Sequence, residues 1–161
     1  MRIKNIYLMV VFAIVFTSAT DFYFTESYAA SDCNPPAKPT PPMTEGPYYK
    51  PDSPRRESLS TAEMEGQKIV ITGKVFSTGC RPVSNARLDF WQTDARGRYD
   101  LDGYRLRGHQ FTDKEGRYRL ETVVPGTYSG RTRHIHVKVT PPEGSGLTTQ
   151  LFFPGALRNR T

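Results

Sequence analysis

The stretch from Tyr128 to His136 reads Tyr-Ser-Gly-Arg-Thr-Arg-His-Ile-His, which gathers a phenol, guanidinium groups and two imidazoles within nine residues. From His134 to Val139 the chain alternates, with His134, His136 and Lys138 on one side and Ile135, Val137 and Val139 on the other. A period of two is that of a half-buried β-strand and puts both imidazoles on one face. Two imidazoles so spaced can share a metal ion if other segments supply the remaining ligands. A solvated strand face that merely carries histidines has the same pattern.

Two further residues suit that chemistry. Tyr99 follows the turn Asp94–Gly97, and Tyr128 follows Pro125-Gly126, so both stand at strand ends where a side chain can enter a cleft. Phenolate and imidazole together favour a hard, highly charged cation such as ferric iron over soft metals, which prefer thiolate. Metal binding would deprotonate the phenols. Two phenolates and one hydroxide neutralise a trivalent ion, which makes a partly buried site electrostatically reasonable.

Short strands must position these groups. Residues 68–76 are rich in Ile, Val and Thr around Gly73, and 86–92 form a second strand candidate. A turn at 112–116 separates Gln110-Phe111 from a strand at 117–123, and 147–153 is the last candidate. Tyr118 reads as a core aromatic, Trp91 as core, Asp94 and Asp113 as turn residues, and 51–60 as a surface loop. Turns roughly every ten residues, without convincing helical periodicity, predict an all-β antiparallel sandwich. Small non-catalytic sandwich modules share that pattern over 70–128, so this segment alone does not distinguish an enzyme from a binding module.

The 161 residues fit one domain. Arg2 and Lys4, the apolar run 6–16 and then Thr17, Ser18 and Ala19 have the order of a secretory signal, too short to span a bilayer. The expected organisation is a signal peptide over 1–29 (cleavage after Ala19 or, preferably, Ala29), a proline-rich leader over 30–66 and a β-sandwich over 67–161. Export to a periplasmic or extracellular space follows, without a stable membrane span after cleavage. An oxidising compartment favours a bond between the two cysteines, Cys33 and Cys80, tying leader to body. The net charge of +6 is scattered, with several arginines beside carboxylates. That distribution suits a soluble surface open to anionic ligands and argues against nucleic acid.

Six segments in order resemble the intradiol ring-cleavage dioxygenases, in particular exported proteins like protocatechuate 3,4-dioxygenase. They are Thr44-Glu45-Gly46-Pro47-Tyr48-Tyr49, Leu88 to Asp94, Gly97-Arg98-Tyr99, Arg107-Gly108 with Thr112-Asp113, Tyr128 to His136, and Leu147 to Gln150. The resemblance implies a non-haem Fe(III) centre held by Tyr99, Tyr128, His134 and His136. It implies a catechol-type substrate, bound as a dianion that displaces Tyr128. With O2 the ring opens between the hydroxylated carbons to a muconate-type diacid. Arg131 matches the family's substrate-side arginine, whose charge stabilises carbanion character in the ring. Gln150 matches a glutamine beside the iron pocket, and Gly46, Pro47 and Tyr48 match the substrate mouth. Family members usually assemble, so a homo-oligomer is implied.

Three departures stand out. The loop 128–131 is short, Arg133 replaces a small residue or proline before the first histidine, and only six residues follow Gly155 where relatives continue with further strands. The sandwich is therefore expected to lack C-terminal strands, leaving one edge unpaired unless another subunit covers it. A non-catalytic or truncated binding module of the same fold is the alternative reading.

Overall fold

The computed structural model describes residues 6–13, 33 and 38–153. Among the described residues, seven strands form two antiparallel sheets. The first contains β1 (Ile6–Ala13), β2 (Lys68–Ser77) and β5 (Arg117–Val123) in the order β1-β2-β5. The second contains β3 (Arg87–Trp91), β4 (Arg107–Phe111), β6 (His134–Thr140) and β7 (Leu147–Phe152) in the order β4-β3-β6-β7. The all-β antiparallel reading is borne out.

The core lies between the sheets and follows from alternation. Ile69, Ile71 and Val75 of β2 and Leu120 of β5 face Leu88 and Phe90 of β3 and Ile135, Val137 and Val139 of β6. Burying such side chains, at about 1.5–3 kcal/mol each, is the main force holding the layers together. Tyr118 joins this core against Phe90, with ring centroids 5.8 Å apart.

The second face of the β4-β3-β6-β7 sheet is also covered, which differs from the half-buried strand expected of 134–139. His134 and His136 are 5 % and 3 % exposed. The cover is the leader. The amide of Met43 donates to the Thr148 carbonyl and Thr149 Oγ1 to the Pro41 carbonyl, so the leader runs along β7. Lys138 Nζ bonds Glu45 at 2.7 Å and sits over the Tyr49 ring.

Residues 51–60 are not a plain surface loop. His109 N donates to the Pro54 carbonyl, Arg56 N to the His109 carbonyl, and Leu59 N to the Glu121 carbonyl. This segment pairs first with β4 and then with β5, closing the open side of the sandwich, and buries Ser53 and Leu59. Backbone groups on two sheet edges are thereby satisfied.

The apolar run read as the heart of a signal is β1 where it is described, paired with β2 from Ile6 opposite Ser77 to Ala13 opposite Val70. Both candidate cleavage sites, and the chain after Phe153, lie outside the described residues. No helix among the described residues is long and apolar enough to cross a membrane. Cys33 and Cys80 form a disulfide with Cα atoms 5.5 Å apart, joining the leader to the turn after β2.

Candidate metal centre

Strand register assembles the site. On the leader-covered face, His136 pairs with Gln150 on one side and with Trp91 on the other, and Trp91 pairs with Arg107. A row Gln150–His136–Trp91–Arg107 thus crosses all four strands. His134 stands one pleat away on β6, opposite Phe152. Both imidazoles turn inward on each other, with their Nε2 atoms 3.2 Å apart.

The tyrosines arrive from two turns that pack together. Asp94 organises the first: its Oδ1 accepts from the amides of Arg96 and Arg98, and Arg98 and Arg105 bond its Oδ2. Burial pushes the Asp94 carboxyl up, but these donors outweigh it and hold the carboxyl below its ordinary range. Tyr99 follows. The second turn, Pro125-Gly126, is tied to the first by Gly126 N donating to the Asp94 carbonyl and Thr93 Oγ1 to the Gly126 carbonyl. Gly97, at φ +80°, presses against Thr127 where an added Cβ would stand 2.0 Å from the carbonyl oxygen.

The Tyr99 and Tyr128 rings consequently meet edge to face at 5.4 Å, and Tyr128 lies 6.5 Å from the His134 ring. Tyr48 of the leader stacks on Tyr99 at 4.4 Å and meets Tyr128 at 5.6 Å. Gly46 lies beside His136, since a Cβ there would stand 3.7 Å from Cε1, while Pro47 is exposed. Arg131 reaches Gln150, donating from Nη2 to Oε1 at 2.8 Å. Of the nine ligand and substrate positions suggested by sequence, eight (all but the exposed Pro47) are thereby brought into one cluster, with Tyr48 and Gly46 on its leader side.

Burial keeps the phenol and imidazoles of this cluster neutral. The buried Tyr99 hydroxyl has no hydrogen-bond partner among the described residues. Burial, then the neighbouring Tyr128, raises Tyr99 to about 12 despite Arg131 and Arg107. Burial, then His134, Arg131 and Arg107, pushes His136 down to about 3. Burial also lowers His134, helped by Arg131 and partly opposed by the bond from its Nδ1 to the Thr132 carbonyl at 2.6 Å. Both imidazoles are thus neutral and available as lone-pair donors. Two nitrogens 3.2 Å apart match adjacent ligands of one ion at bond lengths of about 2.1 Å. Among the described residues no group of three or more His, Cys, Asp or Glu side chains could hold a metal, so any such centre needs the phenolates.

Sequence reading missed two neighbours. Arg107, 2 % exposed, donates Nη1 to the Tyr48 carbonyl at 2.6 Å and Nε and Nη2 to the Asp100 carbonyl, clamping the leader to the Tyr99 loop. Trp91, expected in the core, is buried on the opposite face and stacks on His136. The period-two series Arg87, Asp89, Trp91 was the available signal, because it repeats on β3 the pattern of β6.

A dioxygenase family model matches residues 44–158. The dioxygenase domain of a dioxygenase–carbohydrate-binding fusion from Streptomyces sp. SirexAA-E superposes with a TM-score of 0.73 at 53 % identity, covering 76 % of this chain and 79 % of that one. The chain belongs to the intradiol ring-cleavage dioxygenase family. An intradiol dioxygenase from Tetranychus urticae is similar too, with a TM-score of 0.65 at 28 % identity, covering 73 % of this chain and 65 % of its own. Among curated relatives, the protocatechuate 3,4-dioxygenase beta chain of Burkholderia cepacia is 37 % identical over 118 residues, 62 % of this chain and 50 % of that protein. This intradiol dioxygenase family member spans about half the length of the first curated relatives it matches.

Proposed function

We propose that the protein is an exported non-haem Fe(III) dioxygenase that cleaves a catechol-type aromatic with O2 between its hydroxylated carbons, giving a muconate-type diacid. The observation carrying this reading is the convergence of the His134 and His136 Nε2 atoms, 3.2 Å apart, on the ring pair Tyr99 and Tyr128. Family membership and the donor set both support it.

Tyr99, Tyr128, His134 and His136 would hold the iron. When bound, ferric iron supplies the positive charge that binds the catecholate and draws electron density from its ring toward reaction with O2. The chain's own residues do the rest. The buried phenol of Tyr99 would hold the ion as a phenolate. Tyr128, half-buried on a turn whose neighbours Thr127 and Ser129 are exposed, would take up a proton at Oη from the incoming catechol. Arg131, held by Gln150, keeps a fixed positive charge beside the ring, where negative charge develops. Gly46, Pro47 and Tyr48 form the leader side of the mouth, and the flat Tyr48 ring suits a planar substrate. A net charge of +6 favours approach of anionic aromatics.

The experiment is a visible spectrum with iron analysis on the purified protein. The expected result is a coloured, iron-loaded protein whose tyrosinate-to-iron band shifts with catechol, followed by oxygen uptake. A colourless protein that takes up neither ferrous nor ferric iron would overturn the reading and favour a non-catalytic sandwich that binds without turnover.

A further inference from the structure

We infer that Trp91 is the positioning residue for His136, setting its ring plane by stacking rather than by a hydrogen bond. The inference rests on the reading of His136 as a metal ligand. The two histidines are held in different ways. His134 is oriented through Nδ1, which donates to the Thr132 carbonyl at 2.6 Å and leaves Nε2 with its lone pair. His136 has no such anchor: its Nδ1 is buried and has no hydrogen-bond partner among the described residues. A ligating histidine is ordinarily oriented by a bond from its second nitrogen, and the terminal torsion of a histidine is otherwise broad.

Trp91 supplies what is missing. Its ring lies 4.7 Å from the His136 ring and within 10° of parallel. Register enforces the contact, because the two residues are direct partners on β3 and β6. Tyr49 backs the indole at 4.9 Å, so neither ring can slide outward without moving the leader. Trp91 is 1 % exposed and its Nε1 has no hydrogen-bond partner among the described residues. Packing alone would be served better by an apolar residue, since a buried unpaired N–H is costly. The indole face also attracts positive charge, so it favours the imidazole most when that ring has lost electron density to a metal.

The test uses full-length, metal-free protein and Co(II) as the probe. In wild-type protein the His136 ring protons are expected upfield of those of His134, shifted by the indole ring current. W91F is expected to retain Co(II) affinity within about threefold, and W91L to lose about tenfold to a hundredfold. Melting curves of the metal-free variants separate this loss from unfolding. The chain has a single tryptophan, so tryptophan emission reports the surroundings of Trp91, and Co(II) should quench it in wild-type protein but not in H136A. If wild-type protein binds no Co(II), it is the ligand reading that fails. If wild-type binds, H136A does not, and a folded W91L binds as tightly with the same visible spectrum, the role of Trp91 is refuted. Should W91L not fold, unshifted His136 protons in wild-type protein, or a W91F that loses affinity tenfold, refutes it equally.

Discussion

Gly97 and Gly126 lie back to back: a Cβ added to Gly126 would stand 2.3 Å from the Gly97 nitrogen and 2.6 Å from the Ala95 carbonyl oxygen. Two turns far apart in sequence can approach this closely only without side chains, and their approach brings Tyr99 to Tyr128. Replacing Gly126 by Ala is expected to cost about 1–3 kcal/mol, the range for forcing an extra methyl into packed structure. Its effect on the site should exceed that on the fold. Urea unfolding should show a modest loss, while the iron–tyrosinate band weakens strongly. An unaltered band in a destabilised G126A would separate the turn contact from ligand placement.

Acid should weaken the metal-free protein through its histidines. His136 is depressed to about 3 and His134 is also lowered, chiefly by burial, whereas unfolded histidine titrates near 6.5. Below pH about 6.5 the unfolded chain binds protons that the folded chain does not, so stability falls with pH, for His136 down to about 3. Tyr99 gives the opposite sign: raised to about 12, it keeps its proton where an unfolded phenol has lost it, so stability also falls as pH rises from 10 to 12. Melting temperatures across pH 4–11 check both arms. H136Q should flatten the acid arm and Y99F the alkaline one.

Arg131 and Gln150 form one unit, with Nη2 and Oε1 2.8 Å apart. R131A is expected to lower kcat/KM for a catechol by roughly a hundredfold to a thousandfold, the range for removing an aimed charge from a reacting centre. Iron content and the resting visible band should stay near wild type. Q150L removes the acceptor that steadies the guanidinium, together with the long bond from Nε2 to the Thr44 carbonyl, and should cost much less, about tenfold. Steady-state oxygen uptake on iron-matched samples makes the comparison. Equal losses in the two variants would mean that Gln150 acts on the ligands directly.

The Cys33–Cys80 disulfide closes a loop with a sequence separation of 47 residues. By chain entropy such a loop stabilises by about 4 kcal/mol, much of it as retention of the leader. The double variant C33A/C80A, or reduction of the wild type, should lower the denaturation midpoint and speed proteolysis within 38–66. Because Lys138–Glu45 and Arg107–Tyr48 still fasten the leader, the strands themselves should persist. Circular dichroism beside limited proteolysis distinguishes local release from global unfolding.

Sequence alone marked β2, β3, β5, β6 and β7 closely, because the alternation of Ile, Val and Leu with polar residues over 68–76 and 134–139 is a direct imprint of the pleat, but it caught only the end of β4 and read the run of β1 as a signal. It also pointed, through six ordered motifs, to the family and to the donor residues proposed above. What it left undecided was which side of a strand is covered. The alternation at His134–Val139 marks two faces, yet both prove buried, because a leader some ninety residues upstream lies on the polar one. The same tertiary fact moved Trp91 from the core to the back of His136 and turned 51–60 from a loop into an edge cover. Arg107 clamps Tyr48 from 59 residues away. Such contacts depend on register across four strands and on two turns meeting at glycines. Local pattern encodes the pleat of each strand, whereas only the folded chain fixes what lies against it.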